Sequence, residues 1–327
     1  MLRTLGMGHK KQHYVPRSYL KAWSTDGRRI WMFDKRQKIS KQVGLTDIAQ
    51  AKFFNDSFRR TRGIVSDGEA SDIFERQFQT WENTFLTMRQ VALDVAASRR
   101  QGSLKDRQKM ATCAAIQLLR TAKAREELLS ESLNESESRP RLIDWLDPQL
   151  REKMLMEPAF ARQHISLIQT WLLWNSDLVP QIATELYFYL WIIAKNSTQV
   201  PFYTSDAPVA ALTHSPGKSP FDPTPSGQNH QKMKLNTLKG LFCDSAECGL
   251  ELIFPVAPDC ALLMFHPFDF EASLGDRQGN VLVVGEQTVS IINAAISSSA
   301  LRQVFSSTDD FNVARLVGKR TQVKRNA

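Results

Sequence analysis

The spacing of apolar residues divides the chain into three stretches. Between residues 66 and 185, apolar side chains recur every three or four positions, as at Phe78, Trp81 and Phe85, and this spacing predicts amphipathic helices. Before and after this stretch, the apolar residues stand in short runs of β-branched and aromatic side chains, which are typical of strands. We therefore expect an α+β fold, with a mixed or antiparallel sheet built from the N- and C-terminal parts and a large helical insert in the middle.

The same patterns place individual elements. Ser66 and Ser103 are candidate N-cap residues, and each precedes a helical pattern. Later helices are predicted at 148–156, 158–175 and 286–301. Strands are predicted at 28–34, 35–43, 185–194, 200–204, 250–256, 260–265, 281–284 and 303–306. The long, loop-like, proline-rich and glycine-rich stretch 212–249 is predicted to be either disordered or a functional lid, and the basic tail 318–327 is predicted to be loose.

With 327 residues, the chain is long enough to bury a large hydrophobic core. We expect three parts that pack together as one intimate domain. They are an N-terminal β-element at 1–65, the helical insert at 66–185 and an α+β part at 186–327.

Charge and cysteine usage narrow the class of protein. The formal net charge is +8, which favours polyanionic partners through long-range attraction. The N-terminus lacks the apolar core of a signal peptide, and no run of apolar residues is long enough to span a membrane. The four cysteines form no C-x-x-C pair. We therefore expect a cytoplasmic protein with reduced thiols and no membrane association.

A short segment near the start concentrates side chains that can do chemistry. His13, Tyr14 and Arg17 lie within five residues, around Pro16. The proline pushes Val15 towards an extended conformation, so extended chain should enter a turn and then a short helix. The imidazole suits a general base or a metal ligand, and the guanidinium suits a phosphate or carboxylate. The alternative is that the histidine and tyrosine only tie down the N-terminus through hydrogen bonds.

A second polar segment follows the predicted strand 200–204. Ser205 and Asp206 stand just before a proline turn, where their side chains can project into a cleft. We expect Asp206 to orient His13 or to bind metal; the alternative is an Asx-turn that closes the loop. Asn293 lies near the middle of a predicted helix. An inward-facing amide there would need partners, and it would hold the Asp206 segment.

The two segments together resemble a bacterial family of unknown function, domain of unknown function 4238. The resemblance would cover most of the chain, from about His13 to Phe305, and it implies no established activity. Ala207 stands where the family pattern has Asn. The residues that carry the resemblance are the His-Tyr-Val-Pro run at 13–16, Tyr19, Leu20, Trp23, the Thr-Ser-Asp-Ala-Pro-Val run at 204–209, Phe254, Pro255 and Asn293.

The leading hypothesis is an enzyme that acts on a phosphate-bearing substrate by nuclease-like phosphodiester hydrolysis, with a nucleic acid as candidate partner and bacterial defence as candidate setting. A divalent metal is a candidate cofactor. The expected catalytic residues are His13, Asp206 and Ser205. The expected substrate-binding residues are Tyr14, Arg17 and Asn293.

Two alternatives stay open. In the first, the protein binds without catalysis, and the two polar segments are a structural latch that fastens the N-terminus onto the sheet. In the second, the protein is an interaction module that uses Trp171 and Trp174 as anchors, which predicts an exposed apolar patch on the helical insert.

Overall fold

The computed structural model describes residues 11–52, 69–133, 142–174, 176–214 and 249–323. Within them the fold is α+β with a helical middle region, as predicted. The predicted N-cap Ser66 lies outside the described residues, as does most of the predicted loop 212–249.

The N-terminal part is a small β-element around one short helix. The expected hairpin is present. Its first strand, predicted at 28–34, begins one residue later at Arg29, and its returning strand, predicted at 35–43, runs from Ile39 to Gly44. In chain order the elements are β1 (Lys11–His13), α1 (Arg17–Leu20), a 3₁₀ turn (Lys21–Trp23), β2 (Arg29–Asp34), β3 (Ile39–Gly44) and β4 (Gln50–Lys52).

The middle of the chain is helical. Helix α3 begins with the predicted cap, since the Ser103 side chain and Asp106 form a reciprocal capping box. The helices are α2 (Glu69–Ala96), α3 (Leu104–Leu119), α4 (Ala122–Leu133), α5 (Pro148–Met156), α6 (Pro158–Trp174) and α7 (Leu178–Phe188), with a 3₁₀ turn at Leu142–Trp145.

The C-terminal part contains most of the strands. Its elements are β5 (Leu190–Asn196), β6 (Thr204–Ser205), β7 (Ala210–His214), β8 (Gly249–Ala257), β9 (Cys260–Phe265), α8 (Pro267–Leu274), a 3₁₀ turn (Gly275–Arg277), β10 (Val281–Val284), α9 (Glu286–Ser299), β11 (Gln303–Ser306) and α10 (Asn312–Val323).

Four predicted segments are wrong in part. The predicted strand 185–194 is a helix up to Phe188, because Leu178, Val179, Ile182, Ala183 and Leu186 form a buried face at helical spacing. The predicted strand 200–204 is mostly irregular, and only Thr204 joins a strand. The stretch 212–249 begins inside β7, and helix α10 occupies the start of the tail predicted to be loose.

The sheets connect the two ends of the chain. In the four-stranded sheet the order is β3-β2-β11-β6, so the N-terminal hairpin pairs with the C-terminal strand β11. In the five-stranded sheet the order is β10-β5-β9-β8-β7, and β10 pairs with β5 in parallel while the other neighbours are antiparallel. Strands β1 and β4 form a separate antiparallel pair.

One hydrophobic core joins all three parts. Trp23, Phe85 and Phe254 belong to the same buried cluster, although they come from the N-terminal element, the helical insert and the C-terminal part. No helix in the described part of the chain has both the length and the apolarity needed to cross a membrane.

Candidate functional site

The HYVP turn, residues 13–17, lies where β1 ends and α1 begins. His13 pairs with Gln50 of β4, and the Tyr14 N–H donates to the Ala49 carbonyl at 3.0 Å. Pro16 then precedes α1, whose first residue is Arg17. The predicted passage from extended chain through a turn to a short helix is present, and it places His13 and Arg17 on the same turn.

Two side chains of the following helical turns fasten this segment to the C-terminal part. The buried Tyr19 hydroxyl lies 2.6 Å from Thr204 Oγ1 and donates to the Pro255 carbonyl at 2.7 Å. The Trp23 indole N–H donates to the Phe202 carbonyl at 2.7 Å. The HYVP turn is therefore held against the TSD segment, residues 204–206, although nearly 200 residues separate them in sequence.

Asp206 is 1% exposed, and its carboxylate is surrounded by backbone donors. Oδ1 accepts from Leu301 N at 2.9 Å, and Oδ2 accepts from Arg302 N at 2.8 Å and Gln303 N at 2.9 Å. Burial raises the pKa of the Asp206 carboxyl, while the three N–H groups and the nearby Lys35 ammonium oppose that shift. Asp206 therefore closes the loop that leads into β11, and it makes no hydrogen bond to His13.

Ser205 and Asn293 are also buried and bonded within the fold. Ser205 Oγ donates to the Ala207 carbonyl at 2.8 Å and accepts from the Ala207 N–H at 3.1 Å. The Asn293 amide accepts from Tyr203 N at 2.7 Å and donates to the Pro201 carbonyl at 3.0 Å. As expected for an inward-facing Asn, Asn293 of α9 has partners in the chain leading to Asp206. Its predicted role in substrate binding, like the catalytic role of Ser205, stays a prediction.

His13 is different, because one of its ring nitrogens has no partner. Its Nδ1 is buried and makes no hydrogen bond to any described residue. Burial lowers the pKa of His13 from its ordinary 6.5 to about 4, with the charges of Arg17 and Arg120 adding to the shift. A hydrogen bond between the ring and the Ile48 backbone opposes the shift, and so does the charge of the Asp47 carboxylate. The imidazole is therefore neutral at pH 7 and can accept a proton.

The other two predicted binding residues lie beside it. Arg17 is exposed, so its guanidinium can meet a ligand from solvent. Tyr14 is half-buried, and burial together with the charge of Asp206 raises the pKa of its phenol well above the ordinary range. The Tyr14 side chain of the HYVP turn is thus close enough to Asp206 to feel its charge, and the phenol stays protonated as a hydrogen-bond donor.

The sequence did not reveal the importance of the residue that follows α3. Arg120 is not among the site residues expected from the sequence, yet it is only 3% exposed and donates through Nη2 to the His13 carbonyl at 3.1 Å. Residues 113–121 are all buried, so the helical periodicity does not single out Arg120. A charged residue at such a buried position needs a counter-charge or hydrogen bonds.

A family model described as protein of unknown function (DUF4238) matches residues 11–310. The chain belongs to this family. The match includes every residue of the HYVP turn and the TSD segment, and it confirms the family resemblance seen in the sequence. No curated protein and no solved structure matches the chain.

A small pocket of this DUF4238 protein lies between the end of α3, the start of α4 and the loop after Asp206. Its volume is about 10 Å³, which is room for about one water molecule. One of its lining side chains, Gln117, is buried and has an amide nitrogen with no hydrogen-bond partner in the described part of the chain. The lining residues are Gln117, Leu118, Thr121, Lys123, Ala124, Glu127, Ala207 and Val209.

Metal-binding side chains are not clustered in the described ranges of this DUF4238 protein. Among those residues, no group of three or more His, Cys, Asp or Glu side chains lies close enough together to hold a metal ion. His13 and the exposed Arg17 lie on one turn, so a proton acceptor and a cation are neighbours there.

Proposed function

We propose that this protein is a hydrolase of phosphate-bearing substrates and that its reactive site is the HYVP turn. The observation that carries the proposal is the buried, unbonded Nδ1 of a neutral His13 beside the Arg17 guanidinium. A neutral imidazole can act as general base, and an exposed guanidinium can pair with phosphoryl oxygens. The net charge of +8 supports a polyanionic substrate such as a nucleic acid.

In this proposal each side chain has a definite role. His13 takes the proton of the water molecule that attacks phosphorus, and Arg17 binds the phosphoryl oxygens, on which negative charge increases. As the new P–O bond forms, the bond from phosphorus to the leaving oxygen breaks, and the leaving alkoxide takes a proton from solvent. Tyr14 donates a hydrogen bond from its protonated phenol. Asp206 and Asn293 hold the loop against which the HYVP turn rests, because their polar atoms already have backbone partners.

A second candidate function is binding without hydrolysis. It is supported by the backbone hydrogen bonds around Asp206, which engage the carboxylate that was expected to orient the imidazole. The third possibility, an interaction module anchored by Trp171 and Trp174, has less support. Both indoles are half-buried and pack against the core, and Trp174 meets Phe78 edge to face at 5.2 Å between ring centroids.

The test uses the purified full chain with single-stranded DNA, single-stranded RNA and bis(p-nitrophenyl) phosphate, each with and without Mg²⁺ or Mn²⁺. The variants are His13→Gln and Arg17→Ala. Their matched controls are His164→Gln on α6 and Arg99→Ala, whose side chain is 72% exposed after α2. We expect hydrolysis to fall at least about 100-fold in His13→Gln and to stay unchanged in both controls.

Binding is measured on the same variants by fluorescence anisotropy with labelled oligonucleotides. If His13→Gln loses hydrolysis but still binds the oligonucleotides, the result supports the proposal of an enzyme. Binding without turnover in the wild type, weakened by Arg17→Ala and not by Arg99→Ala, supports the second candidate. If the wild type neither binds nor cleaves any of these substrates, both are rejected. Toxicity of the expressed wild type in bacteria, absent in His13→Gln, would extend the proposal to a defence setting.

A further inference from the structure

A buried cation lies directly beneath the HYVP turn. Arg120, the residue after α3, is 3% exposed, and its guanidinium donates to the carbonyl of His13 at 3.1 Å. The same nitrogen lies 3.5 Å from Glu82 Oε1 of α2. A buried charge is costly, and it is retained where it has a counter-charge and hydrogen bonds.

Aromatic rings hold this guanidinium in place. Its central carbon lies 4.5 Å from the Phe78 ring centroid and 4.8 Å from that of Trp81, both distances typical of cation–π contacts. Glu82 in turn accepts from Ser18 Oγ of α1 at 3.3 Å. Ser18, Glu82, Arg120 and His13 thus form one chain of polar contacts across α1, α2, α3 and β1.

We infer that Arg120 is a positioning residue for His13. Its guanidinium fixes the backbone of the HYVP turn and places a positive charge behind the imidazole, and Glu82 sets how strongly that charge acts. The inference rests on the proposed role of His13 as general base. It adds a charge that, beside burial and Arg17, helps to keep this base unprotonated, since a nearby cation disfavours a second positive charge.

Several charged groups affect the pKa of the imidazole, so a test of one of them must leave the others unchanged. Arg17 on the turn and Arg120 from α3 lower the pKa of His13, while Asp47 before β4 raises it. Glu82 acts through Arg120. Only Arg120 among these both bonds the His13 backbone and affects the imidazole by its charge.

Two substitutions of similar shape should shift the imidazole in opposite directions. Arg120→Met removes the charge behind His13 and keeps a long apolar side chain between the rings, so the pKa of His13 should rise. Glu82→Gln removes the counter-charge and keeps the side-chain volume, so the unbalanced guanidinium should lower the pKa of His13 further. If Arg120 only braced the fold, both variants would loosen the turn, hydrate the imidazole and raise its pKa.

The measurement is an NMR titration of histidine-labelled full-length protein, with the His13 signal assigned by its loss in His13→Gln. Circular dichroism identifies the lowest pH at which each variant is still folded, and the variants are compared above it. Arg120→Lys, which keeps the charge, should leave the pKa of His13 closer to the wild-type value than Arg120→Met does. Shifts of the same sign in Arg120→Met and Glu82→Gln, or no shift in Arg120→Met, overturn the inference.

Inorganic phosphate separates this inference from the proposed function. It is titrated into the wild type at neutral pH while the His13 signal is followed. Opposite pKa shifts in the two variants without any phosphate effect would keep the positioning role and count against the phosphate site. A phosphate effect with no opposite shifts would keep the phosphate site and reject Arg120 as the positioning residue.

Discussion

The carboxylate of Asp206 is buried, since only 1% of the residue is exposed. A buried carboxylate is stable when donors surround it, and here three consecutive backbone N–H groups of residues 301–303 do so. The residue type that can orient a catalytic histidine is also a strong loop-closing residue, because a short side chain with two acceptor oxygens reaches nearby backbone. Sequence alone left both roles open, and the hydrogen bonds favour loop closure.

Replacing Asp206 by Asn tests this role. The amide keeps the size of the side chain, but it has one acceptor oxygen and places an NH₂ group against backbone donors. We expect the free energy of unfolding to fall by about 3 kcal/mol, measured by urea denaturation. The control is Asp276→Asn, at an exposed position, which should change stability little. An Asp206→Asn protein of wild-type stability without hydrolytic activity would instead show a catalytic carboxylate.

His13 predicts a pH dependence of stability. Its pKa is about 4 in the folded protein, against an ordinary 6.5. The unfolded chain therefore binds the proton first, so the contribution of His13 is complete above about pH 6.5 and is lost as the pH falls towards about 4. We expect His13→Gln to lose less stability than the wild type over this interval in urea denaturation series. Equal loss in both proteins would place the imidazole in water.

The position of the site could be predicted from the sequence more completely than its chemistry. Pro16 and the strand-like run before it indicated the turn, and Ser103 indicated the start of α3. Arg120 could not be recognised in the same way, because its importance depends on the pairing of β1 with β4, which brings the His13 carbonyl over the end of α3. Local patterns carry no information about such a long-range contact.

At the scale of elements, α1 is only four residues long and depends on its packing. A helix this short has little stability of its own. Tyr19 supplies the packing through ring contacts with Trp23 at 5.0 Å and Phe85 at 5.4 Å between centroids, and its hydroxyl reaches Thr204 and the Pro255 carbonyl. The HYVP turn is thus stable because distant strands hold the helix that follows it.

Tyr19→Phe isolates the contribution of that hydroxyl. The ring and its apolar contacts stay, while Thr204 Oγ1 and the Pro255 carbonyl lose a buried partner. We expect a loss of about 2 kcal/mol in the free energy of unfolding. Tyr187→Phe is the matched control, because Tyr187 is half-buried at the end of α7. A Tyr19→Phe protein as stable as the control would mean that the hydroxyl contributes no net stability.

The helix–strand boundary near residue 189 shows a limit of element prediction. The run 185–194 is rich in aromatic and β-branched residues, which suit strands. Yet Leu186 completes the buried face of α7, and only from Leu190 does β5 pair with β9. The composition of the run predicts a strand on both sides of residue 189. The pairing of β5 with β9 determines where the helix ends.

At the scale of the molecule, the topology makes the three parts depend on one another. The hairpin β2–β3 extends a sheet whose other strands, β11 and β6, come from the far end of the chain. The insert covers the same core, since Phe85 of α2 packs against Phe254 of β8 at 5.7 Å between ring centroids. Removing either the N-terminal element or the insert would expose apolar surface on the remainder, so we expect the described parts to unfold together.

Hydrogen exchange in increasing urea, followed by mass spectrometry of peptides, tests this cooperativity. Amides of α3, β2 and β11 come from three separate parts of the chain but lie around one core, so their opening free energies should converge on a single value as urea rises. Amides of the edge strand β3 should exchange earlier by local opening, because β3 pairs on one side only.

Tyr19→Phe should lower the common value for all three core elements, although it changes a contact of α1 alone. If α3 kept its protection after β2 and β11 had lost theirs, the insert would be a separate folding unit. In that case the hydrogen bond from Arg120 to the HYVP turn would have to persist while the sheet is unfolded.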